Sequence, residues 1–137
     1  MKRNSIRAFT LVEILVVVAI IGLLAGLLLN KAGGAFDSAQ IKIADAMVRD
    51  TYRTSFTRYK LDLGDYPSTA DGMNALLAAP ANAGDRWRGP YADKIQADPW
   101  GEPYQYRYPG THNKGSFDLY SKGPDKVEGS SDDIGNW

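Results

Sequence analysis

The chain of 137 residues contains no cysteine, which excludes disulfides, thiolate metal sites and thiol nucleophiles. Its formal net charge is zero, with 16 basic and 16 acidic residues, so the chain has no overall attraction to nucleic acid. Internal repeats and low-complexity linkers are also missing. A chain of this length without them is expected to form one domain plus a short appendage.

The N-terminal segment differs from the rest of the chain. Residues 1–8 carry several basic side chains and no acid, and residues 9–29 are apolar apart from Thr10 and Glu13. As a helix, residues 9–29 would rise about 31 Å, close to the hydrocarbon thickness of about 30 Å. Positive charge before the apolar run predicts a cytoplasmic N-terminus and an external C-terminal domain.

An ordinary cleaved signal peptide is the alternative interpretation, since the small residues at 32–35 offer a cleavage site. The apolar run exceeds the usual signal-peptide core of about 7–15 residues, however. A signal peptide also has no use for Glu13, whose carboxylate costs about 2.5–3.5 kcal/mol at the centre of a bilayer. We therefore favour a retained transmembrane helix over residues 9–30.

The basic leader followed by Phe9-Thr10-Leu11-Val12-Glu13-Ile14 resembles the class III signal of type IV pilins and type II secretion pseudopilins. The resemblance implies that a prepilin peptidase removes residues 1–8, cutting between Ala8 and Phe9, and methylates the new amino terminus. Ala8 stands where the family usually has glycine. Glu13 matches the family's acidic residue, which implies pairing with the Phe9 amine of a neighbouring subunit during assembly and so offsets the cost of its burial.

Beyond Asp37 the chain predicts a helix packed against strands. Apolar side chains recur at steps of three and four residues, which predicts an amphipathic helix that ends near Gly64: Ile41, Ala44, Val48, Tyr52, Phe56, Tyr59 and Leu63. Together with the membrane segment, this helix would form one long spine. The fold class predicted is α+β, with the spine packed against a small antiparallel sheet.

Shorter elements follow the spine. Ser68 or Thr69 is expected to cap a second short helix that ends before Pro80. Residues 98–101, Asp-Pro-Trp-Gly, predict a turn. The alternating segment 104–108 and the segment 117–121 are predicted to be partner strands.

Several of these motifs resemble the major pseudopilins of type II secretion systems, above all the DPWG turn and the DDIGNW ending at 132–137. The resemblance implies a type IV pilin-like fold with a cleaved leader (1–8), a transmembrane and filament-core helix (9–30) and a periplasmic domain (31–137). The implied function is that of the repeating subunit of a periplasmic filament that drives export of folded proteins across the outer membrane. The implied partners are further copies of the chain, minor pseudopilins, an inner-membrane assembly platform and the prepilin peptidase.

The C-terminal stretch concentrates acidic side chains: Asp118, Asp125, Glu128, Asp132 and Asp133. Calcium takes six to eight oxygen ligands from flexible loops, but the spacing of an EF-hand is absent. The residues alone therefore leave both a calcium site and a solvated acidic loop open.

The resemblance favours calcium as a cofactor. It implies that Asp125, Asp132 and Asp133 are the side-chain ligands, with backbone carbonyls near Lys122 and Val127 completing the shell. Such a metal would close the loop that many pilins close with a disulfide.

Catalysis is not expected. The single histidine, His112, lies in a glycine-flanked turn, and nothing in the sequence orients it into a triad with Ser121 and Asp118. Two other functions stay open, namely a type IV pilin for adhesion, motility or DNA uptake, and a secreted calcium-binding module.

Overall fold

The computed structural model describes residues 10–137, with the backbone alone for residues 28–35. Its helical elements are helix α1 (Leu11–Ala46), a π-helical segment (Met47–Thr51), helix α2 (Tyr52–Leu63) and two 3-10 turns (Gly72–Leu76 and Gly84–Arg86). The strands are β1 (Gln105–Arg107), β2 (Asp118–Ser121) and β3 (Ile134–Gly135). The chain divides into two compact units, one ending at Ser38 and one covering Ala39–Trp137.

In the first unit, α1 presents exposed side chains at every position from 11 to 27. No helix within the described part of the chain is both long enough and apolar enough to cross a membrane. The predicted membrane segment, residues 9–30, lies partly outside the described residues. The predicted cleavage site between Ala8 and Phe9 lies wholly outside them.

In the second unit, the predicted apolar stripe is buried from Ala44 to Tyr59. Ile41, predicted to lie on the same face, is instead 44% exposed. One residue earlier, Gln40 donates a hydrogen bond to the Pro99 carbonyl at 3.2 Å, so this turn of α1 meets the domain through a polar contact. The helix ends after Leu63, as predicted, because Gly64 adopts a left-handed conformation (φ 96°).

The sheet has the order β1-β2-β3, and both pairings are antiparallel. Tyr106 lies opposite Leu119, and Tyr120 lies opposite Gly135. The two predicted strands are confirmed, whereas β3 was not predicted. All four residues of the central strand β2 are buried.

The expected second short helix is a 3-10 helix, and of the two residues expected to cap it, Ser68 caps the turn that leads directly into it. Its N-cap position, Asp71, makes no side-chain capping bond. The Thr69 hydroxyl is engaged elsewhere, with the backbone carbonyl and N–H of Tyr108. Ser68 instead accepts a hydrogen bond from the Asp71 N–H, one turn before the helix.

Aromatic side chains join α2 to the sheet. The centroid of the Phe56 ring lies 4.6 Å from that of Tyr106 and 4.8 Å from that of Phe117. Burial of such a side chain contributes about 1.5–3 kcal/mol to folding. This packing fixes β2 against the helix, and therefore fixes the start of the acidic loop that follows β2.

Candidate functional site

The predicted assembly residue Glu13 lies in the first turn of α1. Its backbone N–H donates to the carbonyl and the hydroxyl of Thr10, at 3.1 and 3.2 Å. Thr10 therefore caps the helix, and Glu13 occupies a position where the helix dipole favours a negative charge. Its neighbours in sequence include exposed apolar side chains, such as Leu11 (80% exposed) and Ile14 (52%).

The acidic loop begins directly after β2, at Lys122, and returns at β3. Gly123 (φ 68°) approaches the far side of the loop so closely that a Cβ there would lie 2.3 Å from the Asp132 carbonyl oxygen. Only glycine fits this position, because it lacks a Cβ and tolerates a positive φ. Lys126 also has a positive φ of 61°.

Two of the three predicted carboxylate ligands lie together in this loop. The Asp125 N–H donates to Asp132 Oδ2 at 3.3 Å, and the Ser130 hydroxyl is within hydrogen-bonding distance of both carboxylates. The bond from Ser130 is the main reason that the pKa of Asp132 is lowered. Val127 donates its N–H to Asp125 Oδ1 at 2.8 Å. Asp132 is thus held in its ionised form beside a second carboxylate.

Asp133, the third predicted ligand, makes different contacts. Its Oδ2 accepts the Gly129 N–H at 2.8 Å, whereas its Oδ1 is buried and has no hydrogen-bond partner among the described residues. The side chain lines a small cleft that it shares with His112 and Trp137. Among the described residues, no three His, Cys, Asp or Glu side chains are close enough together to hold a metal.

Asp118 anchors the turn that precedes β2. It is 2% exposed, and its carboxylate accepts hydrogen bonds from the backbone N–H groups of Thr111, His112 and Asn113 and from the Thr111 hydroxyl. Burial disfavours the charged form, but these bonds outweigh it and lower the pKa of Asp118 to about 2. Asp118 is therefore a structural anion.

The comparisons with known proteins identify the family. The family model described as type II secretion system (T2SS), protein G, matches residues 31–137, and the model of the prokaryotic N-terminal methylation motif matches residues 3–29. The chain belongs to the type II secretion protein G family.

Relatives and a solved structure agree with this assignment. The chain is 43% identical over 143 residues to type II secretion system core protein G of Pseudomonas aeruginosa, covering 100% of this chain and 99% of that protein. It is 41% identical over 135 residues to core protein G of Klebsiella pneumoniae, covering 96% and 94%. The crystal structure of the major pseudopilin of enterohaemorrhagic Escherichia coli matches with a TM-score of 0.67 and 33% identity, covering 76% of this chain and 87% of that one. The predictions of a type IV pilin-like fold and of a type II secretion pseudopilin are therefore confirmed.

The sequence did not predict a buried connection between two of its motifs. Asp98 (5% exposed) accepts the backbone N–H groups of Trp100 and Glu102, and it also accepts the hydroxyl of Ser121 (0% exposed). Ser121 in turn accepts the Gly123 N–H at 3.0 Å. The DPWG turn is thus linked through one hydroxyl to the start of the acidic loop. Both motifs stand out in the sequence, but nothing there shows that they meet.

The same connection answers the question of a catalytic triad. His112 Nδ1 lies 3.4 Å from Asp118 Oδ2, but the Ser121 hydroxyl donates its hydrogen bond to Asp98 instead. The three side chains therefore do not form a Ser-His-Asp relay.

Proposed function

We propose that this chain is the repeating subunit of a periplasmic pseudopilus, held in the inner membrane by its N-terminal helix before assembly. The observation that carries the proposal is the exposed apolar surface of α1 from residue 11 to 27, attached to a folded domain of the protein G family. A surface of that extent needs a covering of lipid or of other helices. Lipid would cover this surface while the chain resides in the membrane, and the helices of other subunits would cover it after assembly.

The topology follows from charge. The basic residues precede the apolar segment and acid is absent before Glu13, so the leader is expected to stay in the cytoplasm and the domain to lie in the periplasm. The prepilin peptidase would cut after Ala8 and methylate Phe9. Minor pseudopilins and the inner-membrane assembly platform are the further partners proposed.

Glu13 is proposed to set the register of assembly. Its carboxylate lies on the apolar surface that would be buried in a filament, and burial of an unpaired charge is costly. The amine of Phe9 in a neighbouring subunit would offset that cost. Because only one axial offset brings the two groups together, the pair would select the stagger between subunits.

Calcium is proposed as the ligand of the acidic loop. Asp125 and Asp132 already lie together, and Asp133 contributes a buried oxygen that has no hydrogen-bond partner in the described part of the chain. Hard oxygen donors on a flexible loop suit calcium. Asp133 would have to turn toward the other two carboxylates, and carbonyls near Lys122 and Val127 would add ligands. A bound cation would relieve the repulsion between the carboxylates and hold the loop closed.

The experiment that tests the proposal is complementation of a strain whose type II secretion system is intact except for the deletion of its own protein G. The wild-type chain should restore both secretion into the medium and filament formation. Glu13→Gln keeps the shape of the side chain but removes its charge, so it should insert into the membrane and fail to form filaments. Glu13→Asp, which keeps the charge, is the matched control and should retain partial assembly. Normal filament yield from Glu13→Gln would refute the role of the charge.

A further inference from the structure

A cleft of about 280 Å³ opens where α2 ends and the chain turns toward the first 3-10 helix. We call it the tyrosine cleft, and the lining residues that matter here are Tyr59, Asp65, Tyr66, Asp71 and Tyr108. Three aromatic rings and two carboxylates thus face one small space. Its size suits one or two side chains of a partner rather than a large ligand.

The Tyr59 hydroxyl is one polar group that the cleft offers to a partner. Tyr59 is 4% exposed, and none of the described residues hydrogen-bonds to its hydroxyl. Burial raises the pKa of Tyr59, and the nearby charge of Asp71 raises it further. The hydroxyl is not among the fully buried polar atoms, so it remains available to hydrogen-bond with an incoming polar group.

Each carboxylate has an oxygen to spare. Asp65 Oδ1 accepts the Tyr66 N–H at 2.8 Å and the Tyr108 hydroxyl at 2.6 Å, whereas Ser68 donates to Asp71 Oδ2. No described residue donates a hydrogen bond to Asp65 Oδ2 or Asp71 Oδ1.

These groups suit a cationic side chain. Carboxylates pair with the planar fork of an arginine, and tyrosine faces attract cations. Lys60 already shows this attraction, with its Nζ 4.3 Å from the centroid of the Tyr66 ring. Arg86 lines the cleft but donates to the Leu63 carbonyl at 3.1 Å, so it does not occupy the space.

A complementary surface lies on the back of the helix, away from the buried residues of α2. This arginine groove, of about 370 Å³, is lined by Arg49, Asp50, Arg53, Thr54, Thr57 and Arg58. All six side chains are exposed. Three arginines against one aspartate make the groove positively charged.

The arginines of the groove differ in their present partners. Arg49 is paired with Asp45 and also donates to the Trp137 carbonyl at 3.0 Å. Arg58 lies one turn from Asp62 in the helix. The Tyr91 hydroxyl donates to Asp62, and the positive charge of Arg58 acts to lower the pKa of Tyr91. The guanidinium of Arg53 has no ion pair or hydrogen bond to any described residue, which leaves it free for a second molecule.

We propose that the arginine groove of one copy docks on the tyrosine cleft of the next copy, with Arg53 entering between Asp65 and Asp71. The proposal rests on the filament proposed above and names one of its contacts. Because the two surfaces are different patches of the same chain, the contact is heterologous. Contacts of that type repeat without closing and generate an open helical filament.

Cross-linking of the full-length chain in secretion-competent cells tests this contact. The chain has no cysteine, so the introduced thiols are the only ones that this chain offers to the reagent. A chain with both Arg53→Cys and Asp71→Cys is treated with a short bismaleimide, because a salt-bridged pair holds its Cβ atoms farther apart than the roughly 3.8 Å of a disulfide. A ladder of dimers, trimers and higher multimers is expected.

Controls make the ladder specific. Each single-cysteine chain should give no ladder, and a mixture of the two should stop at dimers. A chain with Arg53→Cys and Lys114→Cys, the second in the exposed turn before β2, should not cross-link into a ladder. Dimers from Arg53→Cys alone, at the yield of the double variant, would mean a symmetric contact and overturn the proposal.

Charge exchange supplies a second readout. Arg53→Glu or Asp71→Arg alone should reduce the filament yield, and the two changes together should recover it at least in part. Absence of the ladder in cells whose wild-type chain forms filaments would overturn the docking contact alone. Absence of filaments from the wild-type chain would instead contradict the proposed function.

Discussion

Removal of the Ser121 hydroxyl should destabilise the domain far more than its single oxygen atom suggests. In Ser121→Ala, the buried carboxylate of Asp98 loses a donor and the Gly123 N–H loses its acceptor. A hydrogen bond to a charged group contributes about 1.5–3 kcal/mol, and an unsatisfied buried N–H costs about 1–3 kcal/mol. Since the two effects share one site and are not independent, we expect a total loss of about 3 kcal/mol in the free energy of unfolding.

The assays are urea unfolding and thermal unfolding of the domain from residue 37 onward, which contains the compact unit Ala39–Trp137. A loss of about 3 kcal/mol corresponds to a fall of about 12–24 °C in melting temperature for a domain of this size. Hydrogen exchange at the Gly123 amide should accelerate as well, because that N–H loses its protected acceptor.

The matched control is Thr57→Ala, which also removes a hydroxyl. Thr57 donates to the Arg53 carbonyl on an exposed helix face, and alanine is the better helix former, so stability should change by no more than about 0.5 kcal/mol. If Ser121→Ala costs less than about 1 kcal/mol, the link between the DPWG turn and the acidic loop is not the stabilising contact inferred here.

Three further predictions concern protons, metal and processing. The pKa of Asp118 is lowered to about 2 in the folded state, so its contribution to stability is present above about pH 4 and is lost as the pH falls toward 2; Asp118→Asn should flatten this part of the stability curve. Calcium should stabilise the domain relative to chelator by about 2.7 kcal/mol at a hundredfold excess over Kd, and so raise its melting temperature. Asp125→Ala should abolish the difference, whereas Lys126→Ala should keep it. Replacement of Ala8 by leucine should leave an uncut, membrane-bound precursor, visible by its larger mass in immunoblots.

Each of these has a clear contrary result. A stability curve for Asp118→Asn that keeps the wild-type slope between pH 4 and 2 would mean that another carboxylate dominates acid unfolding. A melting temperature that chelator leaves unchanged would make the acidic loop a solvated surface only. Complete processing of Ala8→Leu would mean that the peptidase does not require a small residue at this position.

The spine was predictable because its signals are local. Buried side chains at steps of three and four residues mark the face that includes Val48, Tyr52 and Phe56, and Gly64 marks its end. The spacing of apolar residues cannot reveal the π-helical segment Met47–Thr51. One extra residue in a helical turn rotates the apolar stripe around the helix axis by less than the angular width of the stripe, so the spacing of three and four residues is kept. Ile41 was placed wrongly because periodicity shows which face is apolar but not where the covering domain begins.

Long-range contacts explain most of what the sequence did not reveal. Strand β3 has only two residues, and it is defined by its pairing with Tyr120 and Ser121 rather than by its own composition. The acidic loop was predicted as a cluster of three ligands, but neighbours in sequence can face different sides. Asp132 faces Asp125, whereas the adjacent Asp133 reaches Gly129 and a separate cleft.

Polymerisation of this chain through a retained N-terminal helix can be checked by the intact mass of the filament subunit. Filaments are sheared from cells that express the chain together with its secretion system, and the subunit is weighed by mass spectrometry. We expect a chain of residues 9–137 that starts at Phe9 and carries one methyl group. A subunit that starts beyond Leu29, or a processed chain that never appears in filaments, would contradict it.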